Sequence, residues 1–272
     1  MLPPVMTQSP LHPYEQWFHG HVDRYLALAG EDAFMVERKV RHTRRVLAHA
    51  RAILKEIKPG ATFSHVVEVA TLLHDVGRFP QLVDQGTYDD RAGFNHAEAG
   101  AEILESQGVL APLDEVDRRR VLDLVRYHNR AVVPEGLDPD TRLGLHVVRN
   151  ADKLDAIRNN LKYLNPAAPH GKALKAGVVW HDAEVSPAVL ERARNRQLIP
   201  FADIRWSNDF ILFLCCWLYD LHFRYSFRHL LSSGRFEELL GRLPDHGPLA
   251  ELADMFREDL ERLAEEGADP LS

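Results

Sequence analysis

The sequence predicts an all-α protein, a single-domain helical bundle, on three observations. Apolar residues recur every three or four positions through most of the 272 residues. Glycines, prolines and capping side chains punctuate those stretches at helical lengths, and no alternating apolar–polar run of useful length suggests a strand. The short run Val178-Val179-Trp180 is the one strand candidate.

Taken in order, Pro13 to Ala29 reads as a first helix closed by Gly30, with Trp17, Phe18 and Tyr25 available for burial. Glu31 to Ile57 is longer, its stripe running Val36, Val40, Leu47, Ala50, Leu54 and Ile57, and Pro59-Gly60 ends it. His42 lies on a second row at the edge of that stripe. A third helix, capped by Thr62 or Ser64, carries the apolar run Val66 to Leu73 into His74-Asp75, with Gly77 expected as its left-handed stop. Pro80 to Phe94 reads as a polar loop turning at Gly86 and Gly93. Helices follow over His96 to Ser106, Asp114 to Asn129, with His128 at its end, and Thr141 to Leu164, with Asp152 in its middle. Asn-Pro-Ala-Ala-Pro at 165–169 then breaks the pattern, and 165–206 is read as an irregular lid or substrate segment holding one helix, Ser186 to Asn195. Ser207 to Leu231 is expected as one apolar helix, followed by Arg235 to Arg242 and Leu249 to Glu266.

A composition 45% hydrophobic over this length can bury a sizeable core in one domain spanning 1–272. A formal charge of -7 argues against a general polyanion-binding surface, so no nucleic-acid polymer is expected as a partner. The only cysteines are the neighbours Cys215 and Cys216, which implies no disulfide framework and favours a reducing compartment. The first residues show neither a basic nor an apolar leader region. The apolar run 210–219 is too short for a membrane span, and it reads either as core or as a homodimer face. A cytoplasmic protein without membrane attachment is the expectation.

The chemistry is concentrated in His74-Asp75. An imidazole beside a carboxylate at the inner end of a buried helix is costly unless each finds a partner, and a divalent cation satisfies both. The dipeptide alone reads equally as a polar pair capping its own helix. His42, His96, His128 and Asp152 each lie on or at the end of a neighbouring helix, and helices of a bundle can aim such side chains at one interior point. Four imidazoles and two carboxylates suffice for two ions if one carboxylate bridges. Nitrogen and oxygen donors without thiolate favour iron or manganese, with magnesium, zinc, nickel or cobalt also compatible.

The order His…His-Asp…His…His…Asp resembles the HD superfamily of metal-dependent phosphohydrolases over about Arg41 to Asn160. The local contexts Leu-Leu-His-Asp-Val-Gly-Arg-Phe, Asn-His-Ala-Glu-Ala-Gly, Arg-Tyr-His-Asn and Asn-Ala-Asp-Lys-Leu-Asp carry the resemblance. It implies an HD-type metal-binding core over about 33–164 with additional N- and C-terminal helices, the latter over 207–272. One ion would be held by His42, His74, Asp75 and Asp152, and a second by Asp75, His96 and His128. It implies hydrolysis of a phosphate ester or anhydride, probing toward a nucleotide or similar small phosphorylated metabolite, by attack of a metal-bound hydroxide on phosphorus. The glycine-tyrosine-proline signature of the cyclic-di-GMP phosphodiesterase branch is missing after Gly77. The same ligand set serves di-iron oxygenases acting on polyols or phosphonates, and a non-catalytic metal sensor is a third reading.

Expected catalytic residues are Asp75, Arg78 and Lys153. Arg78, Lys153, Arg130 and Asn129 are expected to bind substrate, with Arg45, Arg158, Asn95 and Asn159 as further candidates. The remaining histidines read as surface or satisfied interior imidazoles, with His181 a candidate lid contact.

Overall fold

The structure is a computed structural model that describes residues 9–90, 93–164 and 178–267. It divides into two compact units, Met1–Arg149 and Asn150–Ser272. Both are helical, and among the described residues the only β pairing is an isolated parallel bridge between Val179 and Trp206.

The first unit contains α1 (His12–Leu28), α2 (Ala33–Ile57), α3 (Ala61–Leu73), α4 (Arg78–Gln85), α5 (His96–Ser106), α6 (Glu115–Tyr127) and the start of α7 (Pro139–Leu161). The central element is α3. From Val66 to Leu73 nearly every side chain is apolar and buried, and α3 packs on α1, α2 and α6. A helix apolar on all sides has to be surrounded, and α2 and α6 present Val46, Ile53, Val121 and Val125 to the core at 0% exposure. Burying each such side chain contributes about 1.5–3 kcal/mol. Asn95 caps α5 by accepting from Ala97 N at 3.1 Å and Glu98 N at 3.4 Å, and Asp114 caps α6 by accepting from Asp117 N at 2.9 Å.

Two expectations are corrected around the His-Asp pair. Gly77 is not a left-handed stop: its φ is -70°. What it supplies is space, since a Cβ there would lie 2.1 Å from the carbonyl oxygen of His96 and 2.8 Å from Gly100 N. The region expected as a loop from Pro80 begins instead with α4, which the left-handed Gly86 closes at φ 64°. Pro80, at the third position of that helix, needs no amide donor there. His21 of α1 braces the same turn, its Nε2 lying 3.1 Å from the carbonyl oxygen of Val76 while its ring stacks on Trp17.

The second unit holds the end of α7, then α8 (Pro187–Arg194), α9 (Ser207–Cys216), α10 (Arg224–Ser232), α11 (Arg235–Leu240) and α12 (Gly247–Glu266). The single helix expected over 207–231 is broken at a 3-10 turn, Trp217–Asp220, and an extended link to α10. The cause is tertiary. Asn150 on α7 accepts from His222 N at 2.8 Å and reaches the Asp220 carbonyl at 3.4 Å, taking up backbone groups that the break releases. The apolar run near 210–219, read as core or dimer face, lies in this unit's own core: Ile211, Leu212, Leu214, Cys215, Cys216 and Leu218 are all buried.

Of the irregular segment, 165–177 lies outside the described residues. The remainder is organised by the buried carboxylate of Asp209, which accepts from Ser186 N and Oγ at 2.7 Å each and from Arg205 N and Trp206 N at 2.9 Å each. His181, the candidate lid contact, is a turn residue here. Its Nδ1 accepts from Ala183 N at 3.2 Å and Glu184 N at 2.9 Å. Among the described residues, no helix is long and apolar enough to cross a membrane.

The crowding at Gly77 gives a direct expectation. Gly77→Ala forces the His-Asp turn away from α5 and lowers stability by about 1–3 kcal/mol, measured by urea unfolding. A loss below about 0.5 kcal/mol would show that the turn relaxes without cost.

Candidate metal centre

Four imidazoles of the first unit converge on the Asp75 carboxylate. His42 comes from mid-α2, His74 and Asp75 from the turn ending α3, His96 from the first position of α5, and His128 from the residue ending α6. Their Nε2 atoms lie 3.3 Å (His42), 3.0 Å (His74), 3.4 Å (His96) and 3.9 Å (His128) from the nearer Asp75 oxygen. None of the five residues is more than 5% exposed, so bulk water cannot satisfy these groups. Nitrogen and oxygen atoms of His74, Asp75 and His128 lie within 4.8 Å of one another, close enough to share an ion.

The proton positions follow from the outer partners. His74 Nδ1 donates to the Thr71 carbonyl at 2.7 Å, and His128 Nδ1 to the Val125 carbonyl at 2.7 Å. His96 Nδ1 donates to the Asp90 carboxylate at 2.7 Å. Each ring's Nδ1 therefore carries a proton, which leaves Nε2 as the inward atom that can take a metal, with an outer hydrogen bond to fix the ring. His96 Nε2 faces His128 Nε2 at 3.0 Å, and His74 Nε2 faces Asp75 Oδ2 at 3.0 Å. Between His96 and His128, lone pairs at that separation repel unless a positive charge lies between them.

A proton is a poor candidate for the charge between His96 and His128. Burial, with the Arg78 guanidinium adding to it, pushes His96 down to about 4 despite Asp90 and Asp75, so the ring is neutral near pH 7. Asp75 is ionised: burial raises its carboxyl, but His74, Lys39 and His42 outweigh it and hold it well below the ordinary carboxylate range. A divalent cation fits this donor set of inward imidazoles and one ionised carboxylate.

Two participants carry no signal in the six-residue pattern. Lys39, one turn before His42 on α2, forms an ion pair with Asp75 Oδ2; its three-residue spacing from His42 puts both on one helix face. Asp90 sits in the loop before α5, where no periodicity points to it. Burial raises its carboxyl, yet His96, Arg78 and Gln81 together bring it down to about 2.

Arg78, expected to bind substrate, is already engaged. It donates to Asp90 Oδ1 at 2.8 Å, to Gln81 Oε1 at 2.8 Å and to the Tyr88 carbonyl, while its Nε lies 3.6 Å from Asp75 Oδ1. It fixes the Asp90 loop and adds positive charge beside Asp75. Asn129 and Arg130 are exposed just past His128 and line a surface hollow of about 490 Å³ with Asp90, Phe94 and Asn95. Asn129 Nδ2 donates to Asn95 Oδ1 at 3.0 Å. Buried Arg149 holds this corner, reaching the carbonyls of His128 at 3.4 Å and of Arg130. A larger groove of about 650 Å³ over Leu104, Leu122 and Arg126 contains none of the converging residues, so size alone would misplace the chemistry.

Asp152 and Lys153 belong to the second unit. Both are half-buried on α7, and Lys153 forms an ion pair with Asp220.

Comparison with family models matches residues 40–157 to the one described as HD domain, a span that includes His42, His74, Asp75, His96, His128 and Asp152. Comparisons with curated proteins and with solved structures found no match.

Two measurements test this geometry. Asp90→Asn leaves His96 without its ionised acceptor, so metal affinity falls about 10–100-fold in a chelator competition; unchanged affinity would remove Asp90 from the centre. In chelated protein, the depressed His96 means that the unfolded chain binds more protons between about pH 6.5 and 4. Stability therefore falls on acidification through that window, by at most about 1.4 kcal/mol per pH unit. Comparing urea midpoints of wild type and His96→Gln at pH 7 and pH 5 isolates this component, and equal pH slopes would refute it.

Proposed function

Residues 40–157 are an HD domain, and from that premise we propose that the protein is a metal-dependent hydrolase of phosphate esters or anhydrides acting on a small phosphorylated metabolite of the nucleotide class. The observation that carries this reading is the pair of Nε2 lone pairs of His96 and His128 facing each other at 3.0 Å beside an ionised Asp75. Such a centre suits two divalent ions, with iron or manganese first among candidates for nitrogen and oxygen donors. His42, His74 and Asp75 would hold one ion, and Asp75, His96 and His128 the other. Asp152 is assigned to the first ion on the sequence pattern alone.

Divalent ions bound there supply Lewis acidity, acidifying a water and offsetting charge on phosphate oxygens. The chain does the positioning. Asp75 would serve both ligand sets, and Asp90 and the carbonyls of Thr71 and Val125 keep His96, His74 and His128 oriented with Nε2 inward. Arg130 and Asn129 at the rim of the hollow would bind the phosphate or the group it leaves with. Arg78 contributes through Asp90 and through its charge beside Asp75. The charge of Lys153 is balanced by Asp220.

Metal analysis of protein purified without chelator, followed by phosphate release from p-nitrophenyl phosphate and a nucleoside phosphate panel, tests the proposal. About two equivalents per chain with phosphate release are expected. His128→Ala should lose one equivalent, and Asp75→Ala should lose both along with activity on the order of a thousandfold. Two irons with oxygen uptake on a polyol or phosphonate, and no phosphate release, would replace hydrolysis by the oxygenase reading.

A further inference from the structure

Lys39 has an unusual position for a cation at a metal centre. Its ammonium pairs with Asp75 Oδ2, the oxygen that also faces His74 Nε2 at 3.0 Å and His42 Nε2 at 3.3 Å. A divalent ion held by those two nitrogens and that oxygen therefore occupies the neighbourhood of the Lys39 ammonium. Two cations on one buried carboxylate oxygen repel strongly, because little solvent screens them.

The lysine has somewhere to go. Its side chain is 17% exposed, against 4% for Asp75, so it is less enclosed than its partner and retains access to solvent. The Tyr88 ring offers the ammonium a second neighbour, 5.9 Å away, a cation–π distance. The hydroxyl of Tyr88 is shielded from solvent and has no hydrogen-bond partner among the described residues. Arg78, by contrast, is tied down by Asp90, Gln81 and the Tyr88 carbonyl. A displaced Lys39 is the cation beside Asp75 whose donors are released when ions bind.

We propose that Lys39 is a substrate-binding residue that alternates between two anions: it pairs with Asp75 until divalent ions take that carboxylate, then turns its ammonium to the substrate's phosphate. The inference rests on the metal-dependent reading above and assigns the phosphate contact that Arg78 does not provide. It makes the lysine a competitor of the metal and a ligand of the phosphate, two roles with opposite signs on removal.

The test uses Mn²⁺ and inorganic phosphate as probes on the 272-residue protein. Mn²⁺ affinity is measured by calorimetry for wild type and Lys39→Met, then phosphate affinity is measured on each Mn²⁺-loaded protein. Removing the competitor should tighten Mn²⁺ binding several-fold, and removing a charged hydrogen bond should weaken phosphate binding roughly tenfold. Lys39→Gln, which keeps a polar head against Asp75, gives the same comparison should the Met variant not fold. If both variants bind Mn²⁺ like wild type and hold phosphate equally well, the alternation is wrong while the metal centre stands. Weaker Mn²⁺ binding in the variants would make Lys39 a structural support of Asp75 and overturn the proposal. If wild type takes up no Mn²⁺ at all, the metal-dependent reading falls and takes this inference with it.

Discussion

The first unit depends on keeping one carboxylate out of water. Asp75 is 3% exposed, and an ionised carboxylate at that depth is tolerable only if positive charge or donors surround it. Lys39 and Arg78 bring charge from two sides, and four imidazoles close the remaining directions. The arrangement would be a poor way to build a core for stability alone. His96 and His128 turn their Nε2 atoms toward one another beside that carboxylate, a pattern that makes physical sense around cations.

Precision at this point comes from backbone as much as from side chains. His74 and His128 each follow the last residue of a helix and bond to the carbonyl three residues back. The unsatisfied carbonyls of a helix end thus serve as the fixtures that orient the rings. His96 begins a helix, where such carbonyls are not at hand, and it takes a carboxylate from the preceding loop instead. The close passage of Gly77 beneath the His96 carbonyl brings the α3 turn and the start of α5 within ligand distance of each other.

Much of this was legible in the sequence, for identifiable reasons. The ligand-bearing helices announce themselves through periodicity and caps: α5 runs over His96–Ser106 as expected, and Asn95 and Asp114 cap where the pattern places a helix start. The His-Asp pair, His96 and His128 stand out because signals of this kind fix the helix ends that carry them, while His42 lies in mid-α2 at the edge of its apolar stripe. Interactions set by tertiary contact were not legible. Gly77 looked like a left-handed stop because conformation is the usual reason for glycine, whereas here the reason is a neighbouring carbonyl. The break after α9 depends on Asn150, far away in sequence and apolar-patterned surroundings gave no warning of it. Asp90 lies in a loop without periodicity, and Lys39 resembled any solvated helix lysine until its partner was seen. Arg78 showed the converse, a conspicuous cation whose donors are consumed by its own loop.

The placement of the inward nitrogens on α2, α3, α5 and α6 also has a kinetic consequence. Residues 42 and 128 are separated by most of the first unit, so no local segment can assemble the complete donor set, and any ion held there would gain its full coordination only after these helices have docked. Interactions that form after the folding barrier leave the folding rate nearly untouched and slow the reverse step. A loaded centre would thus act as a latch rather than a nucleus: it would prolong the lifetime of the docked helices once formed, and with it their protection from proteases and amide exchange.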